Sequence, residues 1–403
     1  MNPNKITKCF GREITDSRGT PTIEVILEAG EFLTKAQVPS GKSTGLHEAK
    51  ELRDADGKGV KTAIDHLEKI IAPAIVGQKI DQKEIDSLLI FLDGTKDKSY
   101  LGANAMVGVS MAVARLAAME KNMPLWKHIT EEINTEPSLP HLYMNIINGG
   151  IHADFRLPFQ EYMVVMEQEN PRLAYEQGKN IFERLGQLIK NEFGRVEMGD
   201  EGGFSPNIDA LKRPFEILNE VIAEEPNVFL AIDAAASQLF KNNKYELKNQ
   251  SYNTEELANL YAELISQFSL KSIEDPFAED MISDFSSLVE KISKEILIVG
   301  DDLTVTNPAR IQEMIDKKAA NALIIKPNQI GTITETYEAI RLARDAGWKV
   351  IVSHRSGDTL DAFISDLAVG LGAYGIKAGS PEPPERRAKY ERLIEIYEKE
   401  MLL

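Results

Sequence analysis

The chain has 403 residues, 43% of them hydrophobic and 27% charged, and a net charge of -17 at pH 7. That length fits two domains, or one barrel with an appendage, and the acidity excludes nucleic acid as the main partner, because phosphate backbones repel such a surface. Cys9 is the only cysteine, so neither an internal disulfide nor a cysteine–zinc cluster can form, and a reducing cytoplasm is the expected compartment. No signal peptide is expected at the start. The longest apolar run, Ala105 to Met119, is broken by Gly108, Ser110 and Arg115. It is too short to span a bilayer and reads as a buried helix, so no membrane span is expected.

Residues 1–135 read as an α+β appendage. Ile6–Ile14, Thr22–Leu27 and Phe32–Val38 form a predicted antiparallel meander, joined by Asp16-Ser-Arg-Gly19 and Glu28-Ala-Gly30. Helical patterns follow at Val60–Ile71, Gln82–Leu92 and Gly102–Lys121. After the meander comes Pro39-Ser-Gly-Lys42-Ser43-Thr-Gly45, which imitates the end of a phosphate-binding P-loop. That motif needs a glycine five positions before Gly41, where Ala36 stands, so an ATP site is rejected. The stretch reads as a mobile lid or as a plain connection. The polar segment Glu131–Pro140, with two prolines, marks the domain boundary.

Residues 136–403 read as a barrel. Asn148-Gly-Gly-Ile-His152 and Gln160-Glu161 open it, and Met198-Gly-Asp200-Glu201-Gly-Gly203 sets two acids among glycines that permit close backbone approach. No regular spacing of acids follows, which excludes an EF-hand. Beyond this, short apolar runs end one after another in Asp233, Glu274, Asp301, Lys326, His354 and Lys377. Apolar runs stopped by Gly, Pro or a charge read as strands buried on both faces. Their intervals suit a strand–loop–helix–loop unit, with helices predicted at Asn307–Lys318, Thr332–Ala346 and Thr359–Leu371. A functional group at the carboxyl end of successive parallel strands is the pattern of a (β/α)8 active site. Acids, then a lysine, then cations suit an anionic substrate held on a metal while Lys326 removes a proton. At the rim of an apolar wall, that ammonium is expected to be pushed down towards the range of a base.

Together these motifs resemble the enolase family, phosphopyruvate hydratases. The resemblance runs from Asp16-Ser-Arg-Gly-Thr-Pro-Thr-Ile-Glu-Val25 through Ser40–Asp54, Asn148–Met163, Gly199–Gly203 and Ser272–Asp280. It continues through Asp301–Pro308, Lys326–Thr332 and Ser353–Thr359 to Lys377, and so covers nearly the whole chain. It implies an N-terminal α+β domain capping a barrel that begins ββαα, and reversible dehydration of 2-phospho-D-glycerate to phosphoenolpyruvate. It also implies Asp233, Glu274 and Asp301 as ligands of a first Mg2+, and Ser43 as a residue reaching a second. Lys326 matches the base at carbon 2 and Glu201 the acid at carbon 3, beside Glu161 and His152. Lys377 matches a charge-stabilising contact, and Gln160, His354, Arg355 and Ser356 match substrate contacts, the last two at the phosphate. The pairing of a lysine base with magnesium is a known property of that superfamily, and the spacing alone does not give it.

Four positions depart from the family pattern: Lys42 for alanine, Gln238 and Asp358 for glutamate, and Pro383 for arginine. The chain also stops at Leu403, short of the family's C-terminal tail, which bears on the contacts of the implied homodimer or larger homo-oligomer. The family resemblance leaves room for a cell-surface or secreted fraction. Two other readings are a different lyase or racemase of the same superfamily, and a non-catalytic relative serving as a structural or surface-binding protein. An intact set of acids and lysines disfavours the second, since a scaffold has no need of it.

Overall fold

The computed structural model describes residues 4–402 apart from Ser43 and Ser293. β1 (Lys8–Thr15), β2 (Pro21–Ala29) and β3 (Phe32–Gln37) form the expected antiparallel meander. The apolar run at 105–119 lies within the helix Ala103–Glu120, whose side chains are almost all buried. It is apolar all round because the sheet covers one side and helices cover others. The helix predicted from Val60 is interrupted by a π-helical turn at Leu67–Ile71 before it continues to Ile75. No helix among the described residues is long and apolar enough to cross a membrane.

The second domain is a closed barrel of eight strands: β4 (His141–Asn148), β5 (Glu161–Met166), β6 (Val228–Asp233), β7 (Leu270–Glu274), β8 (Leu297–Gly300), β9 (Ala322–Ile325), β10 (Lys349–Ser353) and β11 (Gly375–Lys377). Pairing of β11 with β4 closes it. β5 runs antiparallel to both neighbours, and the other contacts around the ring are parallel. Two helices, Pro171–Phe193 and Arg213–Ile222, separate β5 from β6, so the barrel begins ββαα. Tyr143, Met163, Phe229, Val299, Ile324 and Ile351 are among the side chains that fill its interior, making it a packed core rather than a pore. A small sheet at residues 240–252 was not legible in the sequence.

The predicted barrel helices appear at Pro308–Asp316, Ile333–Asp345 and Phe363–Gly370. The last begins four residues later than predicted. Asp361 accepts the Phe363 N–H through its side chain, and an N–H satisfied there leaves the preceding turn free to serve the site.

Candidate active site

The carboxyl ends of the parallel strands and the amino end of β5 meet at one rim. Glu161 and Glu274 each pair in register with Asp233, which sets three carboxylates side by side on β5, β6 and β7. Like charges this close need a cation between them. Lys377, from β11, provides one: its Nζ lies 2.7 Å from Glu274, 3.1 Å from Glu161 and 3.4 Å from Asp233. Lys326, just past β9, pairs with Asp301, just past β8. Asp301 is held down to about 2, since burial is outweighed by Lys326 and then Lys377. Burial, followed by the charge of Asp233, lifts Glu274 well above the usual carboxylate range.

Lys326 differs from the sequence expectation. Burial does push its ammonium down, but the Asp301 carboxylate outweighs burial and holds Lys326 above its ordinary value. The sequence shows the apolar wall of β9 but not the acid that faces the lysine from the next strand.

Lys326, Lys377, Arg355 and Ser356 line one narrow cavity with His152, Gln160, Glu161, Glu201, Asp233 and His354. Glu274 and Asp301 stand directly behind the two lysines. The sequence-predicted residues are thus brought together, except Ser43, which lies outside the described residues.

Glu201 sits in the loop of a short hairpin. Gly202 there has φ +80°, and a Cβ at that position would lie 2.4 Å from Pro383, so only glycine fits. Asn145 donates to Glu201 at 2.8 Å, and His152 and His354 each approach it at 3.5 Å. Arg386 donates to His354 Nδ1 at 2.6 Å. A guanidinium only donates, so Nδ1 is the bare nitrogen and the Nε2–H faces Glu201. Burial lowers both imidazoles, His354 to about 4. Burial works against the charge of Glu201, but the two imidazoles outweigh it and hold that carboxyl low. Glu161 is raised well above the usual range, first by burial and then by the Glu201 charge. Of the pair, Glu161 is thus the more readily protonated.

Donor chemistry at this rim suits a hard divalent cation, because carboxylate oxygens dominate it and no thiol is present. Among the described residues, ligand atoms come within 4.8 Å of one another in two groups, His152/Glu161/Glu201 and Asp275/Asp301/Asp302. The trio Asp233, Glu274 and Asp301 is more spread, since Lys377 takes the first two and Lys326 the third. Both ring nitrogens of His152 and His354 Nε2 are buried and have no hydrogen-bond partner among the described residues. They are available to a ligand.

Several supporting residues escaped the sequence reading. Glu48 holds Arg355 through both terminal nitrogens at 3.1 Å, and Asn328 accepts from it at 3.0 Å. Gln329 donates to Asp301 at 2.9 Å. Asp275, in the left-handed region at φ 41°, accepts the backbone N–H groups of Asp301 and Asp302. Adjacency to Glu274 was the only available signal for it. The departures also find places. Gln238 donates to Gln160, which donates to Asp233 at 3.1 Å. Asp358 receives Lys389 at 2.8 Å. Pro383 precedes the helix Pro384–Glu395.

Arg386 comes from that helix and is fully buried. Besides His354, it donates to the carbonyls of Arg355 and Ser356 at 2.6 Å. Arg386→Met would remove this buried donor from His354 and from both carbonyls. The expected loss is about 3–5 kcal/mol, read as a lower calorimetric unfolding midpoint; a wild-type midpoint would contradict this account.

Two family models match the chain. "Enolase, N-terminal domain" covers residues 6–129 and "Enolase, C-terminal TIM barrel domain" covers residues 136–401. The enolase of Methanopyrus kandleri is 45% identical over 410 residues, which span 98% of this chain and 96% of that protein. With the ββαα barrel and the rim of carboxylates and lysines already described, these matches establish that the chain belongs to the enolase family.

Proposed function

We propose that the chain is a phosphopyruvate hydratase, a hydro-lyase of glycolysis that converts 2-phospho-D-glycerate to phosphoenolpyruvate and back. One observation carries this reading: a single small cavity holds Lys326 and Glu201 as two separate proton-transfer groups, with Arg355, Ser356 and Lys377 as contacts for an anion.

In the forward direction Lys326 Nζ takes the carbon-2 proton. The electron pair left behind forms the carbon 2–carbon 3 double bond as the carbon 3–oxygen bond breaks, and Glu201 protonates the departing hydroxide to water. Glu161, the more readily protonated of the two, supplies the proton that Glu201 passes on. Arg355 receives the phosphate, its fork pre-aimed by Glu48 and Asn328, with the Ser356 hydroxyl beside it. Lys377 places a fixed positive charge where negative charge builds up on the substrate, and Gln160, His152 and His354 complete the contacts.

The family uses a divalent metal. We assign two Mg2+ ions, the first to Asp233, Glu274 and Asp301 and the second to a site reached by Ser43; bound there, they would neutralise charge developing on the substrate carboxylate. Asp301 then shares its charge with a cation, and burial acts on Lys326 with less opposition, in the direction a base requires. A division at residues 135 and 136, a homodimer or larger homo-oligomer, and a cytoplasmic setting complete the proposal. The single buried cysteine supports the setting.

Phosphoenolpyruvate formation from 2-phosphoglycerate, followed by ultraviolet absorbance with and without chelator, tests this reading. Chelation is expected to stop turnover and added magnesium to restore it. Asp301→Ala is expected to cost at least about a hundredfold while the fold persists. Full turnover after exhaustive chelation would remove the metal from the proposal. No product under any metal condition would favour a binding role instead.

A further inference from the structure

Lys42 joins two loops of the site from the solvent side, and Arg386 joins them from the buried side, donating to Asp200 O at 3.4 Å as well as to the Arg355 and Ser356 carbonyls. Its backbone N–H donates to Ser356 Oγ at 2.8 Å, and its Nζ pairs with Asp200 Oδ2 at 2.8 Å. The preceding residue but one, Ser40, exchanges two backbone hydrogen bonds with Gly357, at 2.7 and 2.9 Å. The 40–42 segment is therefore anchored on the Arg355–Gly357 loop and reaches across to the residue just before Glu201. The backbone of the 199–203 loop is pinned by Asn148, by His152 O, by Arg386 on Asp200 O, by the Ser380 N–H on Glu201 O and by its own turn. The Asp200 side chain, by contrast, is held by its ion pair with Lys42.

We infer that Lys42 is a positioning residue for Glu201: its ion pair with Asp200 fixes the acid-bearing loop against the loop that carries Arg355 and Ser356. This rests on the function proposed above, and it goes further by coupling the phosphate end of the site to the protonation of the leaving group. The pair is partly solvated, with side chains 35% and 25% exposed, so its effect is graded rather than all-or-none.

The test compares Lys42→Met, Lys42→Arg, Asp200→Asn and the Lys42→Met/Asp200→Asn double variant with the wild type in the presence of magnesium. Two rates are measured, dehydration of 2-phosphoglycerate and exchange of its carbon-2 hydrogen with heavy water. Lys42→Met and Asp200→Asn are each expected to lower dehydration about two- to fivefold and to leave exchange and KM near wild type. The double variant should lose no more than either single one, and Lys42→Arg should keep most of the rate. Unchanged dehydration, equal losses in both rates, or additive losses in the double variant would overturn the inference while leaving the function standing. A wild type that forms no phosphoenolpyruvate would bring both down together.

Discussion

Lys326→Ala is expected to abolish phosphoenolpyruvate formation and, with it, exchange of the carbon-2 hydrogen of 2-phosphoglycerate in heavy water. Both losses follow from one assignment. If Nζ is the group that takes the carbon-2 proton, no later step begins without it, and exchange reports that first step alone. A positioned base contributes on the order of a hundred- to ten-thousandfold, so deuterium uptake should fall by at least that lower figure. The substitution also leaves the Asp301 carboxylate buried without its lysine, so unfolding has to be excluded by calorimetry. Lys326→Met, which keeps the volume of the stem, gives a second reading. Wild-type exchange in either folded variant would mean that another group is the base.

Glu201→Gln is expected to separate the two proton transfers. Glutamine keeps the shape and can still accept from Asn145, which donates to Glu201 at 2.8 Å, but it has no acidic proton to give the leaving hydroxide. Dehydration should fall about a hundred- to ten-thousandfold, while Lys326 continues to exchange the carbon-2 hydrogen. Loss of exchange in a folded, metal-binding Glu201→Gln protein would place Glu201 in the first step and break the stepwise account. Glu161→Gln is a useful companion, because it removes the more readily protonated neighbour without touching the acid.

The sequence made the parallel part of the barrel legible because each strand buried on both faces ends in a charge. Asp233, Glu274, Lys326 and Lys377 follow that rule at or just beyond β6, β7, β9 and β11. Glu161 breaks it. β5 runs the other way, so its functional residue stands at its first position, and the pattern of strand ends cannot find it. Only the resemblance placed Glu161 and His152 near the site. Arg386 and Glu48 lie outside any strand end, on a terminal helix and in the loop after β3, where nothing periodic marks them. The charge state of Lys326 was misread for a related reason: its partner Asp301 is 25 residues earlier, close in space only once β8 and β9 lie side by side.

The closure of the barrel by β11 against β4 has a consequence for how the chain is made. β4 is synthesised more than 200 residues before β11, so on the ribosome β4 waits for its closing partner while the intervening strands emerge. An open edge of that kind invites pairing with other chains, and contacts this distant in sequence form slowly. Lys377 and Arg386 follow the other groups of the site, and before they emerge Glu161, Asp233 and Glu274 share no cation from β11 and His354 lacks its orienting donor. A nascent chain thus carries the acids of the site well before the groups that balance them, so the acidic cluster is left uncompensated until the barrel can close.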